Sequence, residues 1–521
     1  MGIMIGKPNK FFILYISILS LAGGVIIYLA ASRVGPGVSN DAAMILSVAE
    51  NVTKGAGLID FRGNVLTQFP PVYSLLLASG NLLLGQDVVV IGWIINILVF
   101  SAIIWFSGIL LYETFYDELI LAYFGTFVIF SSTSLIKISS NIASDPLFML
   151  IVIFFLISLS TYLSTGRIRF LILTGLLIVI GSFERYAGLS LVPATGLVLI
   201  YKFRNNIGHA IQWTFLLVVL TATPIFLWGY LHNYPINASV FGERIPYMPV
   251  VNLVSGSEKF LNWFIPTQVI SGAGLLFLYM VILCLLTLAI FWSGAAGLQS
   301  KINSPRVIPH LAFLIVYSGV LIFNITPELQ GLETDRAHII LLPSLLIILL
   351  SVGSHVIKAA GDKWGKIPVY LVATLLFLIW SVYPISKTYS YIERSMVNGD
   401  VSSYNSLNKV NIRSTAFSNY LSSLDVHDKQ FYSNGEAAVW FILRVQVHSL
   451  PKSESSHRPT LTYLQQNYSG WPGTGNDGYL IWFNSYASKE YLATPDELGE
   501  IAIINEVYSD ENGSVYSLKP Q

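Results

Sequence analysis

Residues 88–111, VVVIGWIINILVFSAIIWFSGILL, decide the fold, because this stretch carries no charged side chain. An α-helix needs about 20 largely apolar residues to cross the roughly 30 Å hydrocarbon core of a bilayer. The chain has 521 residues, of which 54% are hydrophobic and only 11% are charged, whereas a soluble globular protein carries roughly 25% charged residues. The sequence therefore predicts an all-α protein that crosses the membrane many times.

Apolar stretches of this kind recur along the chain, and we predict about eleven spans from them. They lie near residues 11–31, 88–111, 119–137, 145–163, 168–183, 187–201, 212–231, 270–292, 308–326, 338–357 and 368–386. The pair on either side of residues 184–186 is short, and its two halves could instead form one broken or re-entrant element. We predict that the first segment is a retained span, because no small-residue cleavage site follows it.

The basic residues of the short loops predict the orientation, since Lys and Arg resist translocation. They concentrate at Lys7 and Lys10, Arg167 and Arg169, Lys202 and Arg204, Lys301 and Arg306, and Lys358, Lys363 and Lys366. This pattern predicts a cytoplasmic N-terminus. An odd number of spans then places the C-terminus on the extracytoplasmic side of the cell membrane, together with the long segments 32–87 and 232–269.

The change in composition near residue 390 predicts two domains, a transmembrane core over residues 1–389 and a small soluble α/β domain over 390–521. The soluble domain is predicted to contain one amphipathic helix and four strands. The helix lies at 408–424, and the strands lie at 430–433, 447–450, 478–483 and 514–518. In the outer loop 32–87 we predict a short helix that starts at Asp41 and an interfacial helix over residues 70–84.

Charge and cysteine content exclude several classes of function. Lys and Arg together number 29, as do Asp and Glu, so the net charge is zero and no field attracts nucleic acid. The chain has one cysteine, which excludes an intrachain disulfide and a cysteine-based zinc site.

Charged side chains at the ends of spans are functional candidates, because burying them in a membrane costs a few kcal/mol. The candidates are Asp41, Asp145, the run Glu184-Arg185-Tyr186, and Arg336 within residues 333–338. Each has a purely structural alternative. Asp41 and Asp145 also fit helix N-caps, Glu184 and Arg185 could form an ion pair across a turn, and Arg336 could anchor a helix at the interface. On one membrane face, these groups suit a reaction in which arginine holds a phosphate and a carboxylate deprotonates a hydroxyl group.

The sequence around these candidates resembles the GT-C superfamily of multi-spanning glycosyltransferases, in particular the branch with the protein O-mannosyltransferases and the lipid A aminoarabinose transferases. The resemblance is carried by SNDAAMILSVAENVTKGAGLIDFRGNVLTQFPPVYSLLLASGNLLLG at 39–85, SDPLF at 144–148, GSFERYAGLSLVP at 181–193 and DRAHIILLP at 335–343. It implies a GT-C core with an outer soluble domain, and catalytic roles for Asp41 and Asp145. It also implies a site for substrate and lipid phosphate made by Arg185, Arg336, Tyr73, Tyr186 and Gln68.

Three positions depart from the family pattern. Asp41 has Asn40 and Ala42 as neighbours and no second acidic residue, Gln68 stands where the aminoarabinose transferases have an acidic residue, and Arg336 is followed by Ala337 in place of tyrosine. The first two departures weaken the case for a bound divalent metal ion without excluding one, and no metal ligand is predicted. The third makes Arg336 the loosest match to the family pattern.

The resemblance implies an inverting transfer of a sugar from a polyprenyl-phosphate donor to an acceptor hydroxyl at the outer membrane face, with Asp41 as the general base. The acceptor could be a lipid, a glycan or a protein. Glu243 and Arg244 are further candidates for substrate selection by their charge alone. The alternative function is a polytopic transporter or lipid flippase. Transporters often show inverted repeats, and the sequence has none that we detect.

Overall fold

The computed structural model describes most of the chain. The described residues are 9–241, 249–265, 295–324, 332–399, 407–408, 415–453, 459–468, 471–472, 477–486 and 491–519. The predicted span at 270–292 and the candidates Glu243 and Arg244 lie outside these residues.

Internal contacts divide the chain into two units. The helical unit comprises Met1–Arg33, Thr67–Tyr73 and Gly92–Val397, and the mixed unit comprises Val34–Leu66, Ser74–Ile91 and Asn398–Gln521. Both units draw on segments that are far apart in sequence. The predicted division into residues 1–389 and 390–521 stays a prediction.

The first part of the chain forms helices joined by short turns. They are α1 Lys10–Ala30, α2 Asn40–Thr53, α3 Val72–Leu84, α4 Val88–Thr114, α5 Leu119–Ser131, α6 Thr133–Ser139, α7 Asp145–Thr165 and α8 Ile168–Glu184. A 3-10 turn at Tyr186–Ser190 leads into α9 Leu191–Lys202. Next come α10 Ile207–Trp228, a π-helical turn Gly229–Asn233 and α11 Tyr234–Asn237.

The second part of the helical unit continues in the same way. Its helices are α12 Pro249–Phe264, α13 Ala295–Ile302, α14 Ile308–Asn324, α15 Leu332–His338, α16 Leu342–Trp364 and α17 Lys366–Asn398. A 3-10 turn, Ile339–Leu341, joins α15 to α16.

Among the described residues, 6 helices are long and apolar enough to cross a membrane, and the bent pair α5 and α6 raises the number to 7. The chain is therefore a multi-pass membrane protein, but the predicted count of eleven spans is not confirmed. Three predicted spans correspond to shorter helices, since α8 and α14 have 17 residues each and α9 has 12. At 1.5 Å per residue, a helix of 17 residues is about 25 Å long, which is less than the hydrocarbon thickness.

The apolar core of the helical unit is centred on α7. The apolar window of α7 is 61% buried, whereas that of α17 is only 11% buried. Phe148 and Phe155 of α7 are fully buried in a cluster that also contains Phe12, Phe313 and Tyr317. Because α7 packs in the centre of this unit, the position of its first residue, Asp145, is fixed.

A close approach between Gly188 and α8 holds the turn that follows Arg185. A Cβ atom on Gly188 would lie 2.3 Å from the carbonyl oxygen of Gly181, which is a backbone atom that cannot move aside easily. We therefore expect Gly188→Ala to destabilise the helical unit by about 1–3 kcal/mol, seen as a lower thermal midpoint of the purified protein in detergent. Gly175→Ala is the control, because its Cβ would meet only Thr221 Cγ2 at 3.5 Å. Equal midpoints for the two variants would contradict this interpretation of the turn.

The mixed unit contains a five-stranded sheet with the order β2-β1-β3-β5-β4. Its strands are β1 Gln430–Ser433, β2 His448–Ser449, β3 Gly478–Phe483, β4 Ile503–Ser509 and β5 Gly513–Lys519. Its helices are α18 Ala416–Ser422, α19 Glu436–Leu443, α20 Leu461–Asn467 and α21 Pro495–Gly499. Strand β1 pairs in parallel with β2 and β3, and β5 pairs antiparallel with β3 and β4. The predicted helix over 408–424 is seen as α18, and residues 409–414 of that prediction lie outside the described part.

The first loop folds together with the C-terminal residues inside the mixed unit. The Val447 N–H donates to the carbonyl oxygen of Phe61 at 2.9 Å, and the Phe61 ring stacks on Trp440 with centroids 5.9 Å apart. Arg444 lies 3.8 Å from the Glu50 carboxylate. Helix α2, which carries Asp41, is therefore held by residues from the far end of the chain.

Candidate functional site

Two arginines share the carboxylate of Asp145. Arg185 Nη1 donates to Asp145 Oδ1 at 2.6 Å and to Ser144 Oγ at 3.1 Å. Arg336 Nε donates to the other oxygen, Oδ2, at 3.0 Å, and its Nη2 lies at the same distance. Asp145 is completely buried, while the two arginine side chains remain 26% and 20% exposed. We call this arrangement the arginine clamp.

Three elements bring the clamp together. Asp145 begins α7, with Pro146 in the first turn. Arg185 has an extended backbone, with φ −147° and ψ 138°, between the end of α8 and the 3-10 turn. Arg336 lies in the last turn of α15. The break between α8 and α9, predicted from charge alone, therefore positions a cation beside the start of α7.

The structural alternatives for these residues do not describe what is seen. Ser144 is the N-cap of α7, and the Asp145 carboxylate is directed to the arginines. Arg185 pairs with Asp145, and no ion pair between Arg185 and Glu184 occurs among the described side chains. Glu184 is 2% exposed, and neither of its carboxylate oxygens has a hydrogen-bond partner in the described part of the chain. The clamp therefore lies directly beside a second, buried acidic side chain.

Tyr186 and Tyr73 occupy different environments in the helical unit. The Tyr186 hydroxyl donates to the carbonyl oxygen of Thr67 at 3.1 Å and accepts from Asn233 Nδ2 at 2.8 Å. Tyr73 is 2% exposed, and its hydroxyl donates to Asn96 Oδ1 at 3.3 Å. Tyr73 therefore packs inside the helical unit, while Gln68 is exposed.

Asp41 lies in the first turn of α2, in the mixed unit, and is partly buried. The N-cap of this helix is Ser39, whose Oγ accepts from the Ala42 N–H at 3.2 Å. The capping function that the sequence could have assigned to Asp41 therefore belongs to Ser39.

A group of lysines around Asp335 was not predicted. Lys259 Nζ lies 4.0 Å from Asp335 Oδ1, and Ser134 Oγ lies 3.5 Å from Oδ2. Lys137 and Lys387 are within electrostatic range of the same carboxylate. The only signal in the sequence is that Lys137 and Lys387 fall at the ends of predicted spans. Asp335 directly precedes Arg336, so these contacts help to fix α15, the helix that carries Arg336 of the arginine clamp.

Metal binding finds no support in the described residues. Within them, no group of three or more His, Cys, Asp and Glu side chains could hold a metal ion.

Comparisons with known proteins establish the fold. No protein-family model matches the sequence, and no curated protein matches it. The structure is similar to ArnT from Cupriavidus metallidurans in the apo state, with 11% identity, a TM-score of 0.62 and coverage of 97% of this chain and 99% of that chain. ArnT bound to undecaprenyl phosphate gives the same TM-score at 10% identity, covering 99% of this chain and 100% of that chain.

A second neighbour is the archaeal oligosaccharyltransferase AglB from Archaeoglobus fulgidus, in complex with an inhibitory peptide and a dolichol-phosphate. It has 10% identity and a TM-score of 0.54, and the match covers 98% of this chain and 74% of that chain. ArnT and AglB are membrane glycosyltransferases of the GT-C superfamily, so the predicted GT-C fold is confirmed.

Proposed function

We propose that this protein is an inverting glycosyltransferase that moves a sugar from a polyprenyl-phosphate-linked donor to a hydroxyl group of an acceptor. The reaction takes place at the outer face of the cell membrane, with the N-terminus in the cytoplasm. The GT-C fold supports the transferase class, and the lipid phosphates bound to ArnT and AglB support the donor class. The observation that carries the proposal is the arginine clamp at the start of α7.

The clamp suits a phosphate group because of the chemistry of arginine. Each guanidinium has five N–H donors in a planar fork that matches two phosphate oxygens. Asp145 engages one edge of each arginine and fixes its direction, since both carboxylate oxygens accept from a guanidinium. Asp145 is then a positioning residue that acts through Arg185 and Arg336, and these two hold the phosphate.

The proposed reaction is a single displacement. The acceptor oxygen attacks the anomeric carbon on the side opposite the phosphate, and Asp41 takes the hydroxyl proton as general base. The bond between the anomeric carbon and the phosphate oxygen breaks, and its electron pair stays on the phosphate. Arg185 and Arg336 stabilise the negative charge that develops on this leaving group.

The polyprenyl chain of the donor requires an apolar surface. Helix α3 exposes a row of leucines, with Leu82 67% and Leu83 83% exposed. An apolar helix with this exposure suits the membrane interface, as predicted for residues 70–84. We assign the lipid tail to this helix and keep Tyr186 and Gln68 as predicted contacts of the substrate. Tyr73, which was predicted with them, is buried and would act on the site only through its packing. The acceptor is a lipid, a glycan or a protein.

The proposal is tested by the lipid that accompanies the purified protein. We expect mass spectrometry of protein purified in mild detergent to detect a polyprenyl phosphate, or its sugar conjugate, above the level of bulk phospholipid. The double variant Arg185→Gln/Arg336→Gln, purified in the same way, should lose this lipid. Arg169→Gln/Arg204→Gln, which removes two cations away from the clamp, should retain it. Recovery of bulk phospholipid alone, with no turnover of any polyprenyl-phosphate sugar, would overturn the proposed function.

A further inference from the structure

A polar cavity lies in the helical unit, away from the arginine clamp, and plays no part in the proposed reaction. Its volume is about 530 Å³, within the range of roughly 300–1,000 Å³ that is usual for small-molecule sites. It is formed by the turn between α4 and α5, by α13 and by the C-terminal half of α16. Five of the side chains that line it carry a charge, namely Asp117, Glu118, Lys301, Lys358 and Asp362.

The length of α7 separates this cavity from the arginine clamp. Asp145 is the first of the 21 residues of α7. Ser164, near the last, lines a neighbouring cavity of about 300 Å³ that shares Thr114 and Lys301 with the first one. At 1.5 Å per residue α7 is about 30 Å long, which is the thickness of a hydrocarbon core. The cavity therefore lies at the opposite end of the helical unit from the clamp.

Aromatic residues beside the cavity indicate the level of the lipid headgroups. Trp364, at the end of α16, is 62% exposed, and Tyr116, in the α4–α5 turn, is 48% exposed. Lys363 Nζ lies 5.5 Å from the centre of the Trp364 ring. Exposed Trp and Tyr side chains are typical of the boundary between lipid and water. A phospholipid in the adjacent leaflet can therefore present its headgroup to the cavity.

Two side chains that line the cavity form an ion pair with each other. Lys301 Nζ lies 3.2 Å from Glu118 Oε1 and 3.3 Å from Oε2. Ser354 Oγ also donates to Glu118 Oε2. These contacts fix the position of Lys301 at the wall of the cavity, and the N–H groups that Glu118 does not engage can donate to an incoming anion.

The other charged side chains of the lining have both signs. Lys358 is exposed, as are Asp117 and Asp362. A ligand with only negative charge would be repelled by the carboxylates, and a ligand with only positive charge would be repelled by the lysines. A ligand that carries a phosphate and an ammonium group together satisfies both.

We propose that this cavity binds the headgroup of a zwitterionic phospholipid of the phosphatidylethanolamine type. The phosphate faces Lys301 and Lys358, and the ammonium group faces Asp117 and Asp362. This site is independent of the proposed transfer reaction, because it lies at the other end of α7. It makes the protein sensitive to the composition of the second leaflet.

The test compares lipids with the same acyl chains and different headgroups. Full-length protein is delipidated in detergent, titrated with phosphatidylethanolamine or phosphatidylglycerol, and measured by native mass spectrometry. We expect phosphatidylethanolamine to bind about 5–10-fold more tightly, since phosphatidylglycerol lacks the ammonium group. Equal or tighter binding of phosphatidylglycerol would overturn the proposal. Displacement by soluble phosphoethanolamine at the same concentration as the lipid would overturn the lipid as the source of the headgroup.

A charge reversal tests the assigned residues. Asp117→Lys/Asp362→Lys should reverse the preference, so that phosphatidylglycerol binds more tightly than phosphatidylethanolamine. The control Glu500→Lys/Glu511→Lys makes the same change in net charge at exposed positions of the mixed unit and should keep the original preference. If the thermal midpoints are unchanged and the reversal does not occur, the cavity is not the lipid site. Transfer activity does not enter this measurement, so a failure of the proposed function would be seen separately.

Discussion

Asparagine in place of Asp41 is expected to reduce sugar transfer by about 10²–10⁴-fold, which is the usual contribution of a general base. Asparagine keeps the shape of aspartate but cannot accept the proton of the acceptor hydroxyl. The N-cap of α2 should be kept, because Ser39, and not Asp41, provides it. The measurement is the initial rate of transfer from a polyprenyl-phosphate sugar, together with the thermal midpoint of each purified variant.

Two controls separate catalysis from folding at this helix. Glu50→Gln removes a carboxylate from the same helix and should leave transfer within about threefold of the wild type. Ser39→Ala should lower stability by about 1 kcal/mol through loss of the cap, without loss of the chemical step. Transfer by Asp41→Asn at more than a tenth of the normal rate would rule out Asp41 as the base.

Asp145→Asn is expected to have the second large effect, on stability and transfer together. The substitution leaves two partly buried guanidinium groups facing a neutral amide. Removing one member of a buried ion pair costs about 3–5 kcal/mol. We expect a clear fall in the thermal midpoint and a loss of transfer, because Arg185 and Arg336 lose the contact that fixes their direction.

A double-mutant cycle distinguishes this explanation from a general loss of packing. Adding Arg185→Gln to Asp145→Asn removes one of the two uncompensated charges and should recover part of the stability, although transfer stays low. The matched pair Asp145→Asn/Arg169→Gln should show simple additivity, since Arg169 is not in contact with Asp145 in the described structure. Additive effects in both pairs would mean that Asp145 and Arg185 contribute independently to stability, which would contradict the arginine clamp.

The sequence predicts the long apolar helices well and the short ones poorly. Runs such as 88–111 have only one way to satisfy their backbone in lipid, so their pattern alone is sufficient. Helices α8 and α9 are shorter than a membrane crossing and are held by neighbours, including the contact of Gly188 with Gly181. Strand β4 was not predicted because it contains Asn505 and Glu506 and is mostly exposed at the edge of the sheet. Edge strands of this kind lack the alternation that identifies buried strands.

The sequence predicts which residues belong to the candidate site, but it does not predict which of them pair with each other. Asp145, Arg185 and Arg336 stand out because a charge beside a span is costly. Their arrangement as one carboxylate between two arginines depends on contacts between residues 191 positions apart, which no local pattern encodes. The same holds for Lys259 and Asp335. Spacing along the chain also could not show that Ser39, two residues before Asp41, provides the N-cap of α2.

The mixed unit also has a consequence for the order in which the protein is made. The backbone carbonyl oxygen of Arg62, in the loop that follows α2, accepts a hydrogen bond from the side chain of Gln446, which lies 384 residues later. At rates of about 5–20 residues per second, the ribosome needs roughly 20–80 s between these two points. Helix α2 is therefore synthesised well before its C-terminal partners, and most of the helical unit, Gly92–Val397, is made in the interval. A chain released before residue 440 carries Asp41 but lacks Trp440, Arg444 and Gln446, so premature termination would leave α2, the helix of the proposed general base, without these contacts.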